Sequence, residues 1–158
     1  FAGVMQTFDN TRPIVAAMAV GVATASIERT KELLSKQGIQ FDYKTPTKLC
    51  TQIQSDIYIM EAELEAARLL TIKAAWMADN GIPNSIEASI SKAKAGRVAN
   101  QITLKCVELL GTVGYCEDEL LEKWARDSKI LDIFEGTQQI QQLIIARRLL
   151  NKSSSELK

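Results

Sequence analysis

A carboxylate lies where a loop meets a predicted helix near the end of the chain. Glu135 stands between the bulky Phe134 and Gly136. Apolar or long side chains then recur at spacings of three and four, at Ile140, Leu143, Ile144 and Arg147. This spacing predicts a helix that begins just after Gly136, with Thr137 near its N-cap. The ring can shield one side of the carboxylate and the glycine lets a ligand approach the backbone, so Glu135 is either a proton-abstracting base or a solvated acid beside a helix cap.

The amino-acid composition narrows the chemistry that the chain can perform. It contains no histidine, which excludes Ser-His and Cys-His nucleophile pairs, the Glu-x-x-His di-iron pattern and most zinc chemistry. Its three cysteines, Cys50, Cys106 and Cys116, form no Cys-x-x-Cys pair, so neither a disulfide framework nor a metal site is expected. Carboxylate, Lys, Tyr and Cys side chains remain for acid-base work.

Short sequence blocks along the chain occur in the order of one known domain. Phe-Glu-Gly-Thr at 134–137 continues with Gln-Ile-Gln at 139–141 and Leu-Ile-Ile-Ala-Arg at 143–147. Further blocks are Phe-Asp-Asn-Thr-Arg-Pro at 8–13, Ala-Ala-Trp at 74–76, Ala-Asn-Gln at 99–101, Leu-Leu-Gly at 109–111 and Arg-Asp-Ser-Lys-Ile at 126–130. Together they resemble the C-terminal helical domain of the acyl-CoA dehydrogenases.

The resemblance implies a reaction and a base. In that family a proton leaves the alpha carbon of an acyl-CoA thioester and a hydride passes from the beta carbon to FAD, as in fatty-acid β-oxidation; an electron-transfer flavoprotein or similar acceptor then takes the electrons. By resemblance Glu135 is the base, and the backbone beside Gly136 lies against the thioester. Asp9 and Arg12 match an Asp-x-x-Arg motif that contacts substrate. From the residues alone, Arg12 could instead simply pair with Asp9.

The resemblance also implies two groups of cofactor-binding residues. Thr137, Gln138 and Gln139 fall where the family contacts FAD, at a helix start suited to polar or anionic groups. The loop formed by Glu108, Leu109, Leu110, Gly111 and Thr112 matches one that touches the flavin of a neighbouring subunit. A homo-oligomer, dimer or tetramer, is therefore expected, and a hetero-oligomer is possible. Without the resemblance, Gln138 and Gln139 could simply be solvated.

Two departures from the family pattern keep a second hypothesis open. The family's usual Arg-x-x-Phe-Gly motif between the first two helices, which contacts FAD across a subunit interface, is missing, since residues 35–45 contain no Arg. The usual Gln-(Ile/Leu)-Leu-Gly-Gly loop reads Glu-Leu-Leu-Gly-Thr at 108–112. The favoured hypothesis is the C-terminal part of an FAD-dependent acyl-CoA dehydrogenase. The alternative is a non-catalytic helical assembly module with a weakened FAD site.

Helical periodicity predicts an all-α fold, an up-and-down four-helix bundle of long helices with a short extra helix. The long helices are expected at Pro13 to about Gln37, from Thr45-Pro46 to Asp79, from Asn84 or Ser85 to Gly111, and after Gly136; the short one is expected at Glu117–Ala125. The first helix is expected to pack through positions including Ile14, Ala17, Met18 and Gly21. The second is expected to pack through Leu49, Ile53, Ile57, Met60, Leu64 and Ala67.

Length and charge set the broad class of protein. The 158 residues, 46% hydrophobic and 24% charged, suit one globular domain over residues 1–158. The 19 basic and 19 acidic residues cancel and form no long basic run, so nucleic acid is not an expected partner. No stretch is apolar enough to predict a transmembrane segment. The family and the cysteine usage imply the mitochondrial matrix or the bacterial cytoplasm, although a chain that starts at Phe1 could lack a targeting peptide.

Overall fold

The central element of the bundle is a helix that packs against four others. In this computed structural model, which describes residues 2–157 and the side chains of residues 7–157, the five α-helices are α1 (Ala2–Lys36), α2 (Gln52–Asp79), α3 (Ser85–Leu110), α4 (Leu121–Ile133) and α5 (Gln138–Leu150). Helix α3 contacts α1, α2, α4 and α5. The predicted all-α bundle is confirmed. Its last helical segment is divided by residues 134–137 into α4 and α5, each of 13 residues.

Small residues let the helices of the bundle pack closely. Ala19 and Ala23 of α1 and Ala95 and Ala99 of α3 are at most 1% exposed. Around them lie larger apolar residues from every long helix, including Ile27, Leu34, Ile57, Ile102, Leu110 and Leu121. Gly96 is also fixed by packing, since a Cβ there would lie 3.0 Å from the carbonyl oxygen of Leu131 on α4. Close backbone approach therefore holds α4 against α3.

Helix α1 begins earlier than its sequence predicts. It starts at Ala2, so Pro13 lies inside the helix and not in its first turn, and the predicted start is wrong. Proline has no N–H, which leaves the carbonyl oxygen of Asp9 without its usual helical donor. The side-chain amide of Asn84, just before α3, donates to that oxygen at 3.4 Å and to the carbonyl of Ala74 at 3.0 Å. A tertiary contact thus compensates for the proline.

The face of α1 predicted to be buried is largely exposed. Ile14 and Met18 are 61% and 52% exposed, whereas Val15, Ala19 and Ala23 are buried. Residues 14–25 are small or apolar on almost every side of the helix, so the periodicity does not select one face. The packing against α3 makes that selection.

Helix α2 buries most of the face that the sequence predicts, but it does not begin where predicted. Ile57, Met60 and Ala67 are buried, as expected, whereas Leu49 is 66% exposed in a short 3₁₀ turn at Thr47–Leu49. The helix begins after Thr51, whose hydroxyl accepts from the N–H of Gln54 while the Gln54 side chain accepts from the Thr51 N–H. The capping box therefore sets the start of α2 after Thr51, and the predicted start at Thr45-Pro46 is wrong.

The predicted short helix at Glu117–Ala125 is wrong in its position. Glu117–Glu119 forms a 3₁₀ turn, and Leu120 then adopts a left-handed conformation with φ of 61° that interrupts the helix. Helix α4 follows at Leu121 and extends to Ile133. By contrast, α3 ends at Leu110 before Gly111, as the glycine predicts.

Candidate active site

The predicted base lies in the tight turn between α4 and α5. Phe134 ends α4 in an extended conformation, and the next two residues both have positive φ, 58° for Glu135 and 97° for Gly136. The Thr137 side chain then accepts a hydrogen bond from the N–H of Ile140 and caps α5, so the predicted helix start is confirmed. A residue other than glycine at positive φ is strained by roughly 1–3 kcal/mol, so other contacts must hold this turn.

Two buried side chains bind the backbone of the turn. The Lys92 ammonium of α3 donates to the carbonyl oxygen of Gly136 at 2.6 Å. The side-chain amide of Gln141 donates to the carbonyl oxygens of Glu135 at 3.0 Å and Gly136 at 3.2 Å. Lys92 is 1% exposed and Gln141 is fully buried. Both carbonyls of the turn are therefore held from inside the bundle.

Helix α1 brings polar groups to the Glu135 carboxylate. The Thr11 hydroxyl donates to Oε2 of Glu135 at 3.0 Å. Arg12, only 3% exposed, donates from Nη1 to Asp9 Oδ1 at 2.6 Å. Burial lowers the pKa of Arg12, and the charges of Asp9 and Glu135 partly offset that effect. The structure thus gathers the predicted residues Glu135, Gly136, Asp9 and Arg12 at one end of the bundle.

The residues predicted to bind cofactor after Gly136 differ in their exposure. Gln139 is exposed at the start of α5, whereas Gln138 is buried, and its side-chain amide donates to Asp132 Oδ1 at 2.9 Å and to the carbonyl of Ala93 at 3.3 Å. Burial disfavours the ionised form of Asp132, but hydrogen bonds from Gln138 and Lys129 outweigh it and lower the pKa of that carboxyl. The Gln138 side chain therefore anchors the first turn of α5 to α4.

The loop from Glu108 to Thr112 lies far from the base. It follows Lys92 by more than four turns of α3, about 24 Å at 1.5 Å per residue. Glu108 accepts from the Lys105 ammonium at 2.7 Å, Leu110 is buried, and Gly111 and Thr112 are exposed. Leu109 packs against the core. The structure does not bring these five residues to Glu135 within one chain.

Three polar residues at the site are not predicted from the sequence. Lys92 lies four residues after Ala88 and three before Ala95, on the buried face of α3. A Lys at such a spacing among small apolar residues indicates a buried cation and could have been noticed in the sequence. Gln141 lies one turn after Thr137, and nothing in the sequence signals its full burial. Thr11 precedes Pro13 and suggests a helix cap, but it lies in mid-helix and reaches the carboxylate.

The fold and the turn can now be compared with known domains. The chain is an all-α bundle whose α4–α5 turn presents Glu135 at the same end as the Asp9-Arg12 pair. Residues 1–150 match the family model described as the acyl-CoA dehydrogenase, C-terminal domain. The chain belongs to that family.

Curated relatives and solved structures agree with this assignment. The mitochondrial short-chain specific acyl-CoA dehydrogenase of Mus musculus is 34% identical over 151 residues, 96% of this chain and 36% of the relative. Cyclohexane-1-carbonyl-CoA dehydrogenase of Geobacter metallireducens is 35% identical over 150 residues, 95% of this chain and 39% of the relative. Butyryl-CoA dehydrogenase of Megasphaera elsdenii superposes with a TM-score of 0.81 at 32% identity, covering 92% of this chain and 37% of that one. The chain thus spans under two-fifths of the length of these relatives.

Proposed function

We propose that this chain is the C-terminal domain of an FAD-dependent acyl-CoA dehydrogenase and that Glu135 is its base. The observation that carries the proposal is the strained turn that holds Glu135 beside Arg12 in a chain of this family. The substrate would be an acyl-CoA thioester, oxidised between its alpha and beta carbons. The alternative, a non-catalytic assembly module, is not favoured, because the acidic residue and its polar surroundings are retained.

Each residue of the site would have its own role in proton abstraction. The Glu135 carboxylate accepts the alpha proton, and Gly136, which has no side chain, leaves the adjacent backbone accessible to the thioester. Thr11 donates to one carboxylate oxygen and so orients the group before substrate binds. Arg12 adds a buried positive charge that attracts Glu135 and is itself held by Asp9. Asp9 and Arg12 would contact the substrate near the base.

The start of α5 fits part of a flavin dinucleotide. Its backbone N–H groups and the exposed Gln139 amide are donors at a helix N-terminus, which suits polar or anionic groups. Thr137 and Gln139 would hold the cofactor there, and Gln138 would contribute through its backbone, because its side chain is bound to Asp132. When bound, FAD supplies the hydride acceptor.

The remaining partners follow from the same assignment. The loop at Glu108–Thr112, remote from Glu135 in its own chain, would contact the flavin of a neighbouring subunit in a homo-oligomer. An electron-transfer flavoprotein or a similar acceptor would reoxidise the flavin. No helix within residues 2–157 is long and apolar enough to cross a membrane. The mitochondrial matrix or the bacterial cytoplasm would be the site of action.

Replacing Glu135 by glutamine tests the proposal. In the flavin-loaded enzyme, Glu135→Gln should lower acyl-CoA oxidation by about 10²–10⁴-fold, because the amide keeps the size of the side chain but cannot accept the proton. The visible flavin absorption of the variant should be unchanged. Glu65→Gln, on an exposed ion pair with Arg68, is the matched control and should keep full turnover. Near-normal turnover of Glu135→Gln would show that another group is the base.

A further inference from the structure

The turn that carries Glu135 has a strained backbone. Two consecutive residues at positive φ leave the helical path between α4 and α5, and the first of them is not glycine. Neither α4 nor α5 supplies a regular backbone bond that fixes this pair of conformations. The direction in which Glu135 leaves the backbone therefore depends on what holds the two carbonyl oxygens.

The two donors that hold these carbonyls are unfavourable residues for their positions. Lys92 is 1% exposed on the buried face of α3, where its neighbours Ala88 and Ala95 are small, and its burial lowers its pKa. An apolar side chain there would avoid the desolvation of an ammonium. Gln141 is fully buried with its Oε1 lacking a hydrogen-bond partner among the described atoms. Both residues thus carry a desolvation cost, and both direct a donor at the same turn.

We propose that Lys92 and Gln141 are positioning residues for the base. They hold the carbonyls of Glu135 and Gly136 at 2.6–3.2 Å and so set the direction of the Glu135 carboxylate toward the substrate. Neither side chain needs to touch the substrate. This inference rests on the proposed function, in which Glu135 accepts the alpha proton.

The two donors act from different elements and so constrain different motions. Lys92 belongs to α3, the central helix, and ties the turn to the bundle. Gln141 belongs to α5 and ties the turn to the helix that follows it. A shift of about 1 Å in a reacting group can reduce turnover by about 10²-fold. Loss of either donor should therefore lower kcat more than it changes substrate binding.

The experiment compares two single variants with a matched control in the flavin-loaded enzyme. Lys92→Met removes the ammonium donor and Gln141→Leu removes the amide donor, and each keeps most of the side-chain volume. Each should lower kcat by about 10–100-fold while KM changes by less than about threefold. Lys92→Arg, which keeps a cationic donor, should recover part of the loss. Lys94→Met, which removes a Lys bound to Glu63 on the solvent side of α3, should leave kcat unchanged.

A second measurement follows the turn itself. Hydrogen-deuterium exchange of the backbone amides at residues 134–138 should be faster in Lys92→Met and Gln141→Leu than in Lys94→Met, while exchange in the middle of α3 is the same in all three. Full kcat in either folded variant, or unchanged exchange in the turn, would overturn the proposal. Failure of both variants to fold would also overturn it, since the donors would then stabilise the bundle and not the turn.

Glu135→Gln measured in parallel separates the two hypotheses. If Glu135→Gln is inactive and Lys92→Met and Gln141→Leu keep full kcat, only the positioning role fails. If Glu135→Gln stays active, the assignment of the base fails, and the positioning proposal fails with it.

Discussion

At the scale of single residues, the turn between α4 and α5 requires glycine at position 136. Its φ of 97° is one that side chains with a Cβ rarely adopt, and a Cβ there would lie 2.5 Å from Nε2 of Gln141. The same amide holds the carbonyls of Glu135 and Gly136. Glycine at position 136 therefore allows both the positive φ of the turn and the position of the Gln141 side chain.

Substitution by alanine at this glycine should be destabilising. Gly136→Ala adds a strained φ and displaces the Gln141 amide, and we expect it to lower the free energy of unfolding by about 1–3 kcal/mol. Gly21→Ala is the matched control, because Gly21 lies in α1, where an added Cβ would meet no atom within 4 Å, and this variant should gain roughly 0.5–1 kcal/mol. Denaturant unfolding of both variants measures the difference. Equal stability of the two would contradict the strain argument.

At the scale of elements, helix ends that are set by neighbouring residues could be predicted from the sequence. Helix faces that are selected by tertiary packing could not. The start of α5 at Thr137 and the end of α3 at Gly111 follow from a local cap and a local φ, and both agree with the structure. The start of α4 depended on a left-handed Leu120, a residue type that gives no such signal. The buried face of α1 depended on its contact with α3, since its small residues surround the helix.

The buried face of α2 can be tested through the free energy of unfolding. Ile57 is fully buried among the core residues, whereas Ile59, two positions along the same helix, is 58% exposed. Ile57→Ala should lower the free energy of unfolding by about 2–5 kcal/mol, because it removes buried methyl groups and leaves a cavity. Ile59→Ala should change it by less than about 0.5 kcal/mol. Thermal or denaturant unfolding would decide, and similar values for the pair would place the wrong face of α2 in the core.

At the scale of the whole molecule, the candidate site divides into two distant parts. Glu135, Arg12 and the start of α5 meet at one end, and this grouping was predicted because the resemblance assigns the blocks at 8–13 and 134–137 to one site. Lys92 and Gln141 were not predicted, because their role appears only when α3 and α5 are packed around the turn. The loop at Glu108–Thr112 lies at the other end of α3, and under the proposed function a neighbouring subunit would use it.

The cations near the missing arginine motif bear on how tightly the cofactor would be held. In the family that this chain belongs to, each FAD is expected to be held by two subunits, and an Arg would contribute a charge-assisted bond of about 1.5–3 kcal/mol. Residues 35–45 contain no Arg. Lys31 is bound to Tyr43 and Glu61, and Lys36 is bound to Glu32, so both ammonium groups already have partners within the chain. Lys44 and Lys48 are exposed and could substitute as point charges, but both lack the planar fork of an Arg.

We therefore expect FAD to be held more loosely in a homo-oligomer of this protein than in relatives that keep the arginine motif. The full-length protein should emerge from gel filtration with less than one flavin per chain, measured as the ratio of flavin to protein absorbance. Co-expression with a neighbouring dehydrogenase chain that carries the motif should raise that ratio, because the partner would supply the missing donor to the shared site. One tightly bound FAD per chain in the protein expressed alone would refute this expectation and would mean that another residue has replaced the arginine.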